Sequence, residues 1–168
     1  MEIKKIYFDM DGVLADFDLG IDELTYAHRI DQKTATKEEN DAIWDAVRPV
    51  EHFYDKLKIM PGAKEMFDAI YEEFGDRCEI LTGVPKPKRN IKFCCEDKVN
   101  WTHRLLNPDI VVNTVFRAQK KDFCTGADCI LIDDLPKNIA EWEEAGGTGI
   151  YHTDPVLTLQ KLQEIKNR

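Results

Sequence analysis

The chain lacks several features that would have classified it at once. No apolar run approaches the roughly 18 residues that a membrane-spanning helix needs. The first residues enter a strand pattern with no apolar signal segment before it. A soluble, cytoplasmic protein is therefore expected, with no membrane partner. Basic residues are in deficit, 23 against 32 acidic ones, for a net charge of -9. A protein that grips polymeric nucleic acid wants a basic surface, so that partner is excluded. A small anionic ligand is not, because one site can be locally positive. There are five cysteines, an odd number, and no CxxC pair. That excludes a disulfide framework and a zinc finger and leaves reduced, structural thiols. His28, His52, His103 and His152 lack metal-ligand spacing and are expected to be surface or core residues. Internal repeats and low-complexity tracts are absent.

What is present is enough apolar residue for a real core, 43% of the chain. Strand patterns fall at 3–8, 78–81, 109–113, 129–132 and 148–152. Helical patterns fall at 16–30, 41–50, 63–75, 96–106, 136–147 and 156–166. "DQKTATKEEN" (31–40) reads as a polar break. Alternating strands and helices predict an α/β fold, a parallel sheet wrapped by helices. Residues 18 to 60 interrupt that rhythm and read as a small helical insertion after the first strand.

In such sheets chemistry sits beyond the carboxyl ends of the strands. "IYF" is followed by Asp9 and Asp11, "EIL" by Thr82 and Gly83, and "ILI" by Asp133 and Asp134. Any one of these is an ordinary strand-end turn. Three together, two of them acidic pairs, point to a site. Four carboxylates at one edge repel unless a cation sits among them. Oxygen ligands without His or Cys point to Mg²⁺. An EF-hand is excluded: its glycine stands sixth and its glutamate twelfth, whereas here Gly12 is fourth and Gly20 twelfth. "AGGTG" (145–149) closes a helix rather than opening one, so it is no dinucleotide loop.

D-x-D-G-V-L after a first strand, a strand ending in Thr, a lysine, and a strand ending in D-D resemble the four motifs of haloacid dehalogenase-like (HAD-like) hydrolases. The order runs from Asp9 to Asn138. The chain is most similar to the 5′(3′)-deoxyribonucleotidase family, through "DMDGVLADF", "IW" (43–44), "HFY" (52–54), "IMPGA" (59–63), "EDKVNW" and "LIDD". The resemblance implies a three-layer, Rossmann-like parallel sheet. Residues 1–17 and 61–168 would form the core domain and residues 18–60 a small α-helical cap.

It also implies roles. Asp9 would be the nucleophile, forming an aspartyl phosphate. Asp11 would protonate the leaving group and later activate water. Mg²⁺ would be held by the Asp9 side chain, the Asp11 main-chain carbonyl and one of the 133–134 pair, Asp134 favoured over Asp133. Gly12 would make the tight turn that turns amides toward phosphate. Thr82 and the Gly83 amide would bind phosphate, although the family often has a second hydroxyl residue where Gly83 stands. Lys120 and Lys121, 13 and 12 residues before Asp133, are both candidates for the lysine that balances phosphate charge, with register favouring Lys120. Lys98 matches a lysine common in that family and is expected near phosphate. Asn138 would order the acidic loop. Asp16 and Asp18 read as helix caps or solvated residues.

Phe17, Trp44 and Phe53, with Tyr54 beside them, could stack on a nucleobase. Equally, they could pack the cap. Lys86, Lys88, Arg89 and Lys92 form a basic loop that could attract phosphate or lie solvated. The expected activity is thus a Mg²⁺-dependent phosphomonoesterase, acting on a (deoxy)nucleoside 5′-monophosphate. The alternatives are another small phosphate, such as a sugar phosphate, and a phosphate-binding module without turnover.

Overall fold

Short β-branched and aromatic runs form a five-stranded parallel sheet in the computed structural model, which describes residues 1–25 and 30–168. The strands are β1 (Lys5–Phe8), β2 (Cys78–Gly83), β3 (Val111–Val115), β4 (Cys129–Asp133) and β5 (Thr148–Tyr151), in the order β3-β2-β1-β4-β5. The helices are α1 (Phe17–Thr25), α2 (Lys37–Val47), α3 (Ala63–Phe74), α4 (Cys94–Leu105), α5 (Pro136–Glu144) and α6 (Pro155–Lys166).

Alternation along the strands feeds two apolar layers, as a sheet covered on both faces requires. Ile6, Phe8, Ile80, Ile130 and Ile132 share one cluster with Met66, Phe67 and Ile70 of α3, Trp101 of α4, and Leu162 and Ile165 of α6. Tyr7, Leu81 and Leu131 form the other with Trp142 of α5. β1 is central: Phe8 lies opposite Ile80 on one side and Ile132 on the other. That places the end of β1 between the ends of β2 and β4.

Some boundaries differ from expectation, each for a local reason. β3 begins two residues late, and β2 runs on through Thr82 and Gly83 because these pair with Thr114 and Val115. α2 starts inside the expected polar break. Thr36 caps it: its Oγ1 accepts from the Glu39 amide at 3.2 Å, and the Glu39 carboxylate accepts from the Thr36 amide at 2.9 Å. The described part of the first helix ends at Thr25; the rest of that expectation, with His28, lies outside the described residues. Asp16 caps α1, accepting from the Leu19 amide at 3.2 Å.

Between β1 and α3 the chain runs through α1, α2 and a 3₁₀ turn (Tyr54–Lys56). Several contacts tie this stretch to the rest. Trp101 Nε1 donates to the Leu57 carbonyl at 2.7 Å. Arg48 Nε donates to the Arg89 carbonyl at 2.9 Å, and Arg89 pairs with Asp41. The basic loop therefore braces α2. His52 Nδ1 lies 2.7 Å from Oδ1 of the buried Asp97, and its ring stacks on Phe93 at 4.7 Å. His52 and Phe93 both sit at positive φ, 56° and 63°.

The hydrogen bond to Asp97 holds the His52 pKa above its ordinary 6.5, against the opposing effect of burial. The folded state therefore favours protonated His52. The stabilisation from this contact is complete below pH 6.5 and is lost as pH rises through the folded value. An NMR titration should place the His52 ring above 6.5 in the native chain and nearer 6.5 in Asp97→Asn. A native value at or below 6.5 would contradict this account of the contact.

Candidate active site

The chain builds outward from β1 to β3, then returns to β4 on the other side of β1. A crevice opens at that reversal, beyond the strands' carboxyl ends. Asp9 leaves β1 with its amide donating to the Ile132 carbonyl at 2.9 Å. The residue is buried, 7% exposed. Ligand oxygens of Asp9, Asp133 and Asp134 all lie within 4.8 Å of one another.

One lysine holds two of these acids. Lys120 Nζ donates to Asp9 Oδ1 and to Asp133 Oδ2, each at 2.7 Å, and is 4% exposed. Asp133 is fully engaged: Oδ1 accepts from the Leu135 amide at 2.9 Å, and Oδ2 also accepts from Asn138 Nδ2 at 2.9 Å. Asn138 Oδ1 in turn accepts from Arg117 Nη1 at 3.0 Å, and Arg117 grips Glu141. Arg117 and Lys120 share one 3₁₀ stretch (Arg117–Phe123), where residues three apart eclipse. That geometry turns both inward and leaves Lys121 exposed.

Gly12 sits at φ +83°, and a Cβ there would lie 2.1 Å from Asp134 Oδ2. Glycine is required because the acid packs against it. The Gly12 amide does not face a ligand: it donates to the Ala15 carbonyl at 2.9 Å. Asp11 Oδ2 accepts from Lys98 Nζ at 2.9 Å, while its buried Oδ1 has no partner among the described residues. Lys98 is completely buried and also donates to Thr82 Oγ1 and the Gly83 carbonyl, both at 2.8 Å. Its three protons are thus committed to protein acceptors, and it lies 4.5 Å over the Tyr54 ring. The expectation that Lys98 meets phosphate directly is corrected: it positions Asp11 and Thr82.

Burial raises the Asp9 pKa to about 6; Lys120 pulls it down, and Asp134 and Asp11 push it up. Asp133 is raised by burial and by Asp9, against Lys120. Asp134 is raised by burial and by Asp133, although Lys33 opposes this from 3.3 Å. Burial alone would lower the Lys120 pKa, but Asp9 and Asp133 outweigh it and raise it above the usual lysine value.

The crevice opens into a cavity of about 550 Å³. Asp9, Asp11, Gly12 and Asp134 line its floor, with Gly83, Lys120 and Arg117. Phe17, Trp44 and Tyr54 form one wall, and Lys33, Lys37 and Asn40 line the cavity from α2 and the loop ahead of that helix. Phe53 is corrected too: it packs edge-on behind Phe17 at 5.7 Å and does not line the cavity. Thr82 and Asp133 lie just beneath the floor, fully buried. Lys121 and the basic loop's Lys86, Lys88, Arg89 and Lys92 stay outside it.

Sequence reasoning missed Arg117, Lys33, Lys37 and Asn40, and it set Asp18 aside although that residue lines the cavity. A signal existed for some. The Thr36–Glu39 capping box marks α2, and Lys37, Asn40 and Trp44 then follow at helical spacing. Nothing local marked Lys33.

The chain matches the family model described as 5′ nucleotidase, deoxy (pyrimidine), cytosolic type C protein over residues 2–158. It is 28% identical over 148 residues to the human mitochondrial 5′(3′)-deoxyribonucleotidase, covering 79% of this chain and 62% of that protein. The chain thus spans less than two thirds of that relative's length. Its fold is similar to a haloacid dehalogenase-like family hydrolase from Streptococcus pneumoniae, with TM-score 0.60, 13% identity, and 95% and 98% of the two chains covered. It is also similar to a HAD family hydrolase from Deinococcus radiodurans R1, solved with bound phosphate and sodium. There the TM-score is 0.56 and the identity 14%, over 94% of this chain and 87% of that one.

The upward shift of Asp134 means that its ionised form opposes folding. Asp134→Asn should therefore raise the unfolding temperature of the metal-free chain at pH 7.5. The gain should be smaller at pH 4, because protonating the native acid relieves the same cost. Thermal unfolding at the two pH values checks this, and a loss of stability at pH 7.5 would contradict it.

Proposed function

The chain belongs to the family of 5′ nucleotidase, deoxy (pyrimidine), cytosolic type C proteins, and from that membership we propose that it hydrolyses a (deoxy)nucleoside 5′-monophosphate. One observation carries the reading: the Asp9–Asp11–Asp134 floor opens into the same cavity as the Phe17, Trp44 and Tyr54 wall. Acidic groups suited to phosphate chemistry and a set of aromatic side chains thus share one pocket. A wall of aromatic faces suits a nucleobase better than the polar rim of a sugar phosphate.

A divalent cation fits the residues present. The cluster offers only hard oxygen donors, and Gly12 leaves room for Asp134 where a Cβ would collide with it. The Asp9 and Asp134 carboxylates and the Asp11 main-chain carbonyl would hold Mg²⁺. Asp133 is already saturated by Lys120, Asn138 and the Leu135 amide. The bound ion would screen the phosphate's charge from the carboxylates.

In the proposed reaction the Asp9 carboxylate attacks phosphorus and the ester P–O bond breaks, leaving an aspartyl phosphate. Asp11 gives its proton to the departing 5′ oxygen. Its unpartnered Oδ1 suits that task, while Lys98 fixes the other oxygen. Asp11 then takes a proton from water as that water attacks phosphorus, which frees phosphate and restores Asp9. Lys120 keeps Asp9 oriented and offsets charge on the phosphoryl oxygens. The five free thiols suit a reducing compartment, and a cytoplasmic location is part of the proposal.

Asp9→Asn should abolish Mg²⁺-dependent phosphate release from dUMP and from p-nitrophenyl phosphate while leaving the fold unchanged. If native protein with Mg²⁺ releases no phosphate from any phosphomonoester, the proposal fails. Trp44→Ala should raise KM for dUMP about 5- to 100-fold, the range that one lost base stack supplies. It should leave p-nitrophenyl phosphate turnover nearly unchanged. Equal losses on both substrates would point away from base stacking.

A further inference from the structure

Asp9, Asp11 and Asp134 on the cavity floor each have an ammonium partner, and the three pairs differ in kind. Lys120 holds Asp9 at 2.7 Å and Lys98 holds Asp11 at 2.9 Å, with lysine side chains 5% and 0% exposed. Both lysines also donate to other protein groups and are fixed in the core. Lys33 is different. It reaches Asp134 Oδ2 at 3.3 Å, its side chain is 42% exposed, and no hydrogen bond holds its ammonium elsewhere among the described residues. It rises from the loop ahead of α2, where its amide donates to Asp31 Oδ1 at 2.9 Å and the Thr34 amide to the Asp31 carbonyl at 3.1 Å. Asp18 and Asp31 line the cavity beside it.

We infer that Lys33 is a displaceable stand-in cation. It neutralises Asp134 until a divalent ion binds there, and that ion expels it and releases the 31–35 loop from the acidic loop. The inference rests on the divalent-cation reading above. Its physical basis is competition: an ammonium and a divalent cation cannot both occupy one carboxylate oxygen without strong repulsion. The buried pairs cannot yield, because losing Lys120 or Lys98 would strand a buried carboxylate. A part-exposed pair is weak, and water with the neighbouring Asp18 and Asp31 can take up the released ammonium. The cap-side loop thereby senses whether the metal site is filled, and metal affinity is set partly by a residue that does not ligate the metal.

Isothermal titration calorimetry with Mg²⁺ alone tests this in the full chain. Lys33→Gln should bind Mg²⁺ about two- to fivefold tighter at low ionic strength, with the gap closing at high salt. Lys33→Arg, which keeps the charge, should bind like the native chain. Hydrogen exchange of amides 31–36 should speed up when Mg²⁺ is added to native protein and be fast with or without it in Lys33→Gln. An equal or weaker Mg²⁺ affinity in a normally folded Lys33→Gln would overturn the inference, as would native exchange that Mg²⁺ leaves unaltered. Native protein that binds no Mg²⁺ would overturn it together with the metal reading. Binding without nucleotide hydrolysis would overturn only the substrate assignment.

Discussion

The ammonium of Lys120, buried between Asp9 and Asp133, is the interaction on which the rest of the site depends. Parallel strands that end side by side bring their following residues together, and here those residues are acids. One buried cation offsets two of the carboxylates. Asn138, the Leu135 amide and the Arg117–Glu141 pair then lock Asp133, so that Lys120 has a rigid seat from which to aim Asp9. Removing the lysine would leave two buried acids facing each other with no cation between them.

The remaining charge is distributed with a purpose. Lys98 neutralises Asp11 from below the floor and ties it to Thr82 and Gly83 at the end of β2. Asp134 is left to the least rigid partner. The fold therefore surrounds Asp9 with fixed cations on the core side and a part-exposed one at the mouth. The aromatic wall has its own support. Phe17 lies 5.9 Å from both Trp44 and Tyr54 and is backed by Phe53, so the wall is packed before any ligand arrives. Preorganisation of that kind lowers the entropy that binding must overcome.

Much of this was legible in the sequence. The acid pairs after "IYF" and "ILI" mark strand ends whose position in a parallel sheet follows from topology, and the sheet itself follows from alternating patterns. Lys120 against Lys121 could only be ranked, because helical and 3₁₀ turns point different neighbours inward. The actual 3₁₀ stretch decides it, burying Lys120 and leaving Lys121 exposed. Lys98 was visible as a lysine near the site, yet its engagement with three protein acceptors depends on α4 bringing it against the end of β2. Lys33 was invisible for a plainer reason: its partner lies about a hundred residues away, and its loop has no periodic pattern to read.

The claim at the centre of this account is that Asp9, held by Lys120, is the atom donor to phosphorus. It is tested most directly by quenching turnover of dUMP with acid, reducing the protein with borohydride and sequencing its peptides by mass spectrometry. Borohydride converts an acyl phosphate of aspartate to homoserine, so the account predicts homoserine at position 9 and at no other aspartate. Continued turnover with aspartate intact at position 9, or homoserine at Asp11 or Asp134 instead, would contradict it.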